Sequence, residues 1–149
     1  MSAHTAPLVS VVTPVYNGSK FLRECIESVL AQRYTNWRYT IVNNCSTNDT
    51  LQIAQYYAQR DARVRVCDNS KFLPIIDNHN HAISLIESDS VYCKPLMADD
   101  WLYRECLEAM VAAALRRASI GLVCCLRSTD SHGTVFNQFP PVFFLLPVS

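Results

Sequence analysis

Glycine is scarce in this chain of 149 residues, which has only three: Gly18, Gly121 and Gly133. The sequence therefore contains neither G-x-G-x-x-G nor G-x-x-x-x-G-K-[ST], the two common patterns that hold phosphate groups with backbone amides. A nucleotide-binding protein of this composition needs another way to balance phosphate charge. A divalent cation, Mg²⁺ or Mn²⁺, held by one or two carboxylates together with phosphate oxygens and water, is the obvious one.

An excess of charge is lacking too, because 13 basic and 13 acidic residues cancel. Without a basic field, nucleic acid and anionic lipid are not expected as main partners. No apolar stretch approaches the roughly 20 residues that span a bilayer, and the N-terminus lacks the basic start and apolar core of a signal peptide. We therefore predict no transmembrane segment and a cytoplasmic location, while association with a membrane surface stays open.

Paired cysteine motifs are missing, although the sequence has seven cysteines. None forms a C-x-x-C pair, and the adjacent Cys124 and Cys125 would point to opposite faces of a strand. An odd and scattered set favours buried, reduced thiols in a cytosolic protein over a disulfide framework.

Apolar residues make up half of the chain, enough for one domain with one sizeable core. Runs typical of buried strands alternate with segments in which apolar residues recur at helical spacing. The strand-like runs begin at Leu8, Trp37, Val64, Val91 and Ile120. This alternation predicts an α/β fold, a mostly parallel sheet flanked by helices. Ligands of such sheets bind at the carboxyl ends of the strands, where the strand order reverses.

The periodic pattern weakens after Leu126. Residues 127–136, RSTDSHGTVF, could form a turn between two strands, whereas residues 137–149, NQFPPVFFLLPVS, carry three prolines and show no period. We expect one domain over residues 1–126, then a turn and an irregular apolar tail over residues 127–149. The tail has two interpretations: the last segment of a domain that is incomplete at its C-terminus, or a segment that contacts a membrane or a partner.

Three polar or aromatic turns follow the predicted strands: Pro14–Asn17 after the first, Asn43–Asn44 after the second and Asp99–Asp100 after the fourth. Adjacent carboxylates repel each other, so two ionised groups at one place need a cation or good solvation. Asp99 is therefore a candidate metal ligand. Asp100 is either a second ligand or the cap of the following helix, a common role for Asp.

The ordered motifs of the chain resemble those of the family 2 glycosyltransferases, inverting enzymes of the GT-A fold. The resemblance lies in VSVVTPVYNGSKFLRECIESVLAQRYTNWRYTIVNNCSTNDT, residues 9–50, and in MADDW, which is similar to the metal motif Asp-x-Asp-Asp of the family. It extends over roughly Pro7 to Val123. It implies a GT-A (Rossmann-like) sheet, incomplete at the C-terminus, and transfer of a sugar from a nucleotide-diphospho-sugar to an acceptor hydroxyl. The implied donor is a UDP-sugar, bound with Mg²⁺ or Mn²⁺, and the acceptor is unknown.

The resemblance also implies roles for individual residues. The base pocket would be lined by Pro14, Val15 and Tyr16. Asn44 would stand where a family aspartate recognises the base, and His79 would lie near the donor phosphates. The metal motif would consist of Asp99 and Asp100. Simple packing is the alternative for Tyr16, and a surface position is the alternative for His79.

The chain departs from the family pattern at three positions. Asn43 and Asn44 replace two aspartates at the end of the second strand, and Met97 replaces the first carboxylate of the metal motif. A thioether is a poor ligand for a hard cation, so the metal prediction depends on Asp99.

The catalytic base of the family lies beyond the part of the sequence that the resemblance covers. After Glu108 the sequence has one acid, Asp130, in a stretch typical of a turn. The catalytic residue therefore stays unassigned. A catalytically inactive donor-binding or interaction module is the alternative function.

Overall fold

The computed structural model describes residues 6–124, 128–131 and 134–137. The chain divides into two compact units, Met1–Arg104 and Glu105–Ser149. The first unit contains the main sheet and three helices, and it carries every candidate site residue predicted from the sequence.

The main sheet has four parallel strands in the order β3-β2-β1-β4. The strands are β1 Val9–Val15, β2 Trp37–Asn43, β3 Val64–Asp68 and β4 Tyr92–Pro95. Successive strands run from β1 outward to β2 and β3, and the chain then returns to place β4 on the other side of β1. The strand order therefore reverses between β1 and β4, which is where open parallel sheets bind ligands.

Three helices connect these strands: α1 Leu22–Leu30, α2 Thr50–Ala58 and α3 Ile75–Ser84. Cys25 of α1 contacts Tyr39 of β2, and Ala82 of α3 packs in a buried cluster with Val12 and Val42. Because side chains alternate along a strand, Tyr39 and Val42 point to opposite faces of the sheet. Helices α1 and α3 therefore cover opposite faces, as predicted from the alternation of strand and helix patterns.

Helix α2 joins α1 on its side of the sheet. Tyr57 of α2 donates a hydrogen bond to the carboxylate of Glu27 in α1. All seven residues of β1 are buried, since this strand has neighbours on both edges and helices over both faces. Burial on both sides explains why its sequence is a nearly continuous apolar run rather than an alternating one.

The second unit contains α4 Cys106–Ala114 and an antiparallel pair of strands, β5 Ser128–Ser131 and β6 Thr134–Asn137. Residues 127–136, which were expected to form a turn, contain β5 and most of β6. These strands correct two expectations: Asp130 lies in a strand rather than a turn, and residues 128–131 and 134–137 are not irregular. Thr129, Val135 and Phe136 favour extended backbone, which outweighs the turn signal of the surrounding Ser, Asp and Gly residues.

The strand predicted from Ile120 is wrong over its described part. Ile120 makes an isolated bridge, and residues 121–124 have no strand conformation. Gly121 and Leu122 are exposed, so the run lacks the burial that its apolar sequence suggested. Residues 125–127 and 138–149, which include most of the predicted apolar tail, lie outside the described residues. The predicted domain boundary after residue 126 stays a prediction.

Neither a disulfide nor a membrane span occurs in the described part of the chain. Its six cysteines are free thiols: Cys25, Cys45, Cys67, Cys93, Cys106 and Cys124. None of its helices combines the length and apolar character that crossing a bilayer requires.

Three polar side chains meet beneath the carboxyl end of β1. The Thr13 and Tyr39 hydroxyls are 2.9 Å apart, and the Cys25 thiol lies 3.6 Å from the same Tyr39 oxygen. Burial raises the pKa of Tyr39 well above its usual value. Burial also raises the pKa of the Cys25 thiol from 9.0 to about 11. Both groups are therefore held in their neutral, hydrogen-bonding forms.

The buried Cys25 thiol predicts a loss of stability in alkali. Above pH 9 the unfolded chain releases the thiol proton while the folded chain keeps it, up to about pH 11. The contribution of Cys25 is complete below pH 9 and falls by about 2 kcal/mol as the pH rises through that window. Urea denaturation from pH 8 to 11 measures it.

The replacement Cys25→Ala should make the fall in unfolding free energy with pH shallower. The exposed Cys124 is the matched control, and Cys124→Ala should keep the wild-type slope. Equal slopes for wild type and Cys25→Ala would contradict the assignment of this pH dependence to the buried thiol.

Candidate functional site

A cleft of about 310 Å³ lies at the carboxyl ends of β1 and β4, where the strand order reverses. Its lining comes from the last two residues of β1 and from the segments that follow β1 and β4: Pro14, Val15, Tyr16, Gly18, Phe21, Met97, Ala98 and Asp99. Two turns that lie far apart in the sequence therefore form one site. An aromatic ring stands on the β1 side and a carboxylate on the β4 side.

Gly18 allows the β1 turn to pass close to the strand that it leaves. A Cβ atom at this position would lie 2.5 Å from Cγ2 of Val15 and 3.5 Å from Cβ of Ala98. The Gly18 carbonyl accepts hydrogen bonds from the amides of Phe21 and Leu22, at 3.1 and 2.9 Å. The tight turn therefore brings the start of α1 against the cleft.

Asn17 ties the turn after β1 to the turn after β2. Its backbone has φ of 52°, a conformation that Asn adopts more readily than most residues. Its amide donates to Ser46 Oγ at 2.9 Å, and its side-chain Oδ1 accepts from the Thr47 amide at 2.8 Å. The backbone of Asn44 adds a further link, because its amide donates to the Val15 carbonyl at 2.8 Å.

The side chain of Asn44 fastens the loop between β3 and α3. Its Oδ1 accepts from the Leu73 amide at 2.9 Å and its Nδ2 donates to the Leu73 carbonyl at 2.9 Å. Oδ1 also accepts from Nδ2 of Asn69 at 3.0 Å. Asn44 is only 3% exposed and is not among the residues that line the cleft. Its contact with a nucleotide base stays a prediction.

Asn43 pairs with a carboxylate on the neighbouring strand. Its Nδ2 donates to Oδ1 of Asp68 at 2.7 Å. An aspartate at this buried position would lose the donated hydrogen bond and place a second carboxylate beside the exposed Asp68, and like charges repel. The departure from the acidic family pattern therefore has a local cause. The remaining oxygen, Asn43 Oδ1, is buried without a hydrogen-bond partner, as is Oδ1 of Asn69.

The turn after β4 presents Asp99 to the cleft. The Met97 carbonyl accepts from the Asp100 amide at 3.0 Å and from the Cys25 thiol at 3.4 Å, which joins the turn to α1. No group of three or more His, Cys, Asp and Glu side chains that could hold a metal occurs in the described ranges. One or two carboxylates suit a Mg²⁺ or Mn²⁺ ion that takes its other ligands from phosphate and water.

His79 of α3 is not among the residues that line the cleft, but it contacts Met97, which does line it. Its Nδ1 lies 2.7 Å from the Ile75 carbonyl, and its Nε2 lies 3.3 Å from the Met97 sulfur. A carbonyl oxygen can only accept, so Nδ1 carries a hydrogen and Nε2 is the nitrogen next to Met97. The ring therefore stands beside the residue that replaces the first carboxylate of the metal motif.

The structure brings four predicted residues into one cleft, namely Pro14, Val15, Tyr16 and Asp99. Sequence reasoning missed four others at or beside it: Gly18, Phe21, Ala98 and Phe72. The Asn-Gly pair in the turn after β1 was a usable signal for Gly18. Phe72 had none, because its ring meets Tyr16, 5.0 Å away between centroids, only after the chain folds.

The Asn44 contacts predict that Asn44→Asp, which introduces the aspartate of the family pattern, destabilises the protein. Aspartate cannot donate to the Leu73 carbonyl, and it would bury a negative charge beside that oxygen. We expect a loss of about 2–3 kcal/mol in the free energy of unfolding. Urea denaturation at pH 7.5 measures it.

Asn80→Asp is the matched control, since Asn80 is exposed on α3 and the same charge is added there. It should change the free energy of unfolding by less than about 0.5 kcal/mol. An Asn44→Asp variant as stable as this control would show that the amide is not required to hold the loop.

Comparison with known proteins places this arrangement in a family. The family model of Glycosyl transferase family 2 matches residues 10–143. Chondroitin synthase of Escherichia coli is 32% identical over 133 residues, which are 89% of this chain and 19% of that protein.

Two solved structures show the same fold. S. aureus TarS 1–349 in complex with UDP-GlcNAc has a TM-score of 0.72 at 24% identity, over 85% of this chain and 36% of that one. The mannosyltransferase PcManGT of Pyrobaculum calidifontis, in complex with GDP-Man and Mn²⁺, has a TM-score of 0.71 at 19% identity, over 83% and 37%. The chain thus spans less than two fifths of each of these three proteins. Because the family match covers most of its residues and the parallel sheet agrees, the chain belongs to glycosyl transferase family 2 and has the GT-A fold.

Proposed function

We propose that the chain binds a nucleotide-diphospho-sugar together with Mg²⁺ or Mn²⁺, as the donor-binding part of an enzyme that transfers the sugar to an acceptor hydroxyl. The observation that carries this proposal is the meeting of Tyr16 and Asp99 in one cleft at the reversal of strand order. A nucleotide needs an aromatic or apolar place for its base and a cation for its diphosphate. The two sides of the cleft offer these separately.

Each side of the cleft has a defined role in the proposal. Pro14, Val15 and Tyr16 surround the base, because they lie at the carboxyl end of β1 and present an apolar wall with one exposed ring. Asp99 holds the cation, and the adjacent Asp100, which is not among the residues that line the cleft, is the second candidate ligand. The cation would neutralise the charge that the diphosphate leaving group develops.

His79 is the proposed contact for the donor phosphates. Its Nε2 lies 3.3 Å from the sulfur of Met97, which lines the cleft together with Asp99. A neutral imidazole offers one donor and a protonated one offers two. With Nδ1 donating to the Ile75 carbonyl, Nε2 can donate to a phosphate oxygen only when both ring nitrogens carry hydrogens.

The donor to test first is a UDP-sugar. TarS has been solved with UDP and with UDP-GlcNAc, while PcManGT has been solved with GDP-Man and Mn²⁺. Both are similar to this chain in fold. The cytoplasmic location expected from the sequence, with or without membrane association, belongs to the same proposal.

A binding module without catalytic activity is the second candidate function. The observation in its favour is Met97, whose sulfur faces an imidazole where the family pattern has a carboxylate. Such a module would bind a nucleotide without transferring or hydrolysing the sugar. Release of UDP from UDP-GlcNAc above a metal-only control would exclude it.

Replacement of Asp99 by asparagine tests the proposed cation site. The thermal unfolding midpoint of the wild-type chain with UDP should be higher when Mn²⁺ is present. A ligand at 100 times its Kd adds about 2.7 kcal/mol to the free energy of unfolding. Asp99→Asn should lose the part of the rise that requires Mn²⁺.

Asp89→Asn is the matched control. Asp89 is an exposed carboxylate before β4, at the opposite end of that strand, so its replacement should leave the Mn²⁺-dependent rise intact. A full Mn²⁺-dependent rise in Asp99→Asn would exclude Asp99 as the cation ligand.

A further inference from the structure

We propose that the nucleotide base binds against an aromatic wall formed by Tyr16 and Phe72, and that the ring of Phe72 contacts every base alike, so that the cleft accepts different bases with similar affinity. The inference rests on the proposed nucleotide-binding function. It adds a residue that the sequence motifs do not include and a property, tolerance of the base.

The aromatic wall is an exposed pair at the edge of the cleft. Tyr16 lines the cleft and is 51% exposed, and Phe72 is 55% exposed. The two rings meet edge to face, with centroids 5.0 Å apart and an interplanar angle of 72°. In this geometry at most one face of one ring is used by the pair. Ring faces stay free for a flat ligand next to the space where the diphosphate would lie.

Phe72 is exposed although hydrogen bonds fix the loop that carries it. The next residue, Leu73, is held by Asn44 through both its amide and its carbonyl, each at 2.9 Å. Asn69 reinforces the arrangement, because its Nδ2 donates to Asn44 Oδ1 at 3.0 Å and to Asn78 Oδ1 at 2.9 Å. The loop thus holds Phe72 beside Tyr16 before any ligand arrives, which reduces the ordering cost of binding.

The same contacts occupy the side chain of Asn44, which would otherwise be able to hydrogen-bond the base. Asn44 Oδ1 accepts two hydrogen bonds from the protein itself, and the residue is 3% exposed. Strong discrimination between similar ligands requires a site that hydrogen-bonds the distinguishing groups. Contact with an aromatic ring is available to every base, since every base has a π-face. Asn44 therefore acts as a positioning residue for Phe72.

Isothermal titration of the purified chain with UDP, CDP and GDP in the presence of Mn²⁺ tests the inference. Pyrophosphate with Mn²⁺ is the probe that lacks a base. We expect the three wild-type Kd values to agree within about tenfold. Phe72→Ala should weaken each nucleotide by about tenfold and leave pyrophosphate unchanged, and Phe72→Trp should restore nucleotide affinity because it restores a ring.

Ile76→Ala is the matched control. Ile76 is an apolar side chain close to Phe72 in sequence and is 73% exposed, so its loss should change no Kd by more than about twofold. The thermal midpoint of Phe72→Ala without ligand should equal that of wild type, since the ring is exposed.

The outcomes separate this inference from the function on which it rests. Unchanged nucleotide affinity in Phe72→Ala, an equal loss for pyrophosphate, or one base bound more than about a hundredfold better than the others overturns the inference alone. A folded wild-type chain that binds neither nucleotide nor pyrophosphate overturns both.

Discussion

The site depends on the parallel pairing of β1 with both β2 and β4. Val9 lies opposite Trp37 on one side and Tyr92 on the other, so the amino ends of the three strands are level and their carboxyl ends lie on the same side of the sheet. Their carboxyl ends consequently converge, and the reversal of strand order leaves a gap between the turns that follow β1 and β4. Neither Tyr16 nor Asp99 would be near the other without this register.

Side-chain amides then fasten the converging turns to one another. Asn17 joins the turn after β1 to the turn after β2, and Asn44 joins the end of β2 to the loop before α3. An amide can donate and accept at once, which a carboxylate cannot do. The asparagines at positions 43 and 44, which weaken a purely family-based assignment of the base contact, therefore have a structural reason to be asparagines.

Much of the fold could be predicted from the sequence because buried strands and helices require apolar residues at regular spacings. Strand β1 is covered on both faces and reads as an apolar run, and α1 shows its buried face in Leu22, Cys25 and Ile26. The strand prediction at Ile120 was wrong because an apolar sequence does not show whether a neighbouring strand is available to pair with it. In the site, the turns and Asp99 were predictable from position at strand ends. The partnership of Asn44 with Leu73 and of Tyr16 with Phe72 was not, since these contacts join distant segments and have no local pattern.

The position of β4 has a consequence for how the cleft comes into existence. Only α1 lies between β1 and β2 in the sequence. Two strands and three helices lie between β1 and β4, whose residues Val9 and Tyr92 pair. Closing this longer loop costs more conformational entropy than closing the loop between β1 and β2. The cleft is thus absent from any partly assembled sheet that lacks β4. A ligand bound there recognises the completed native state, and its binding energy adds to the stability of that state alone.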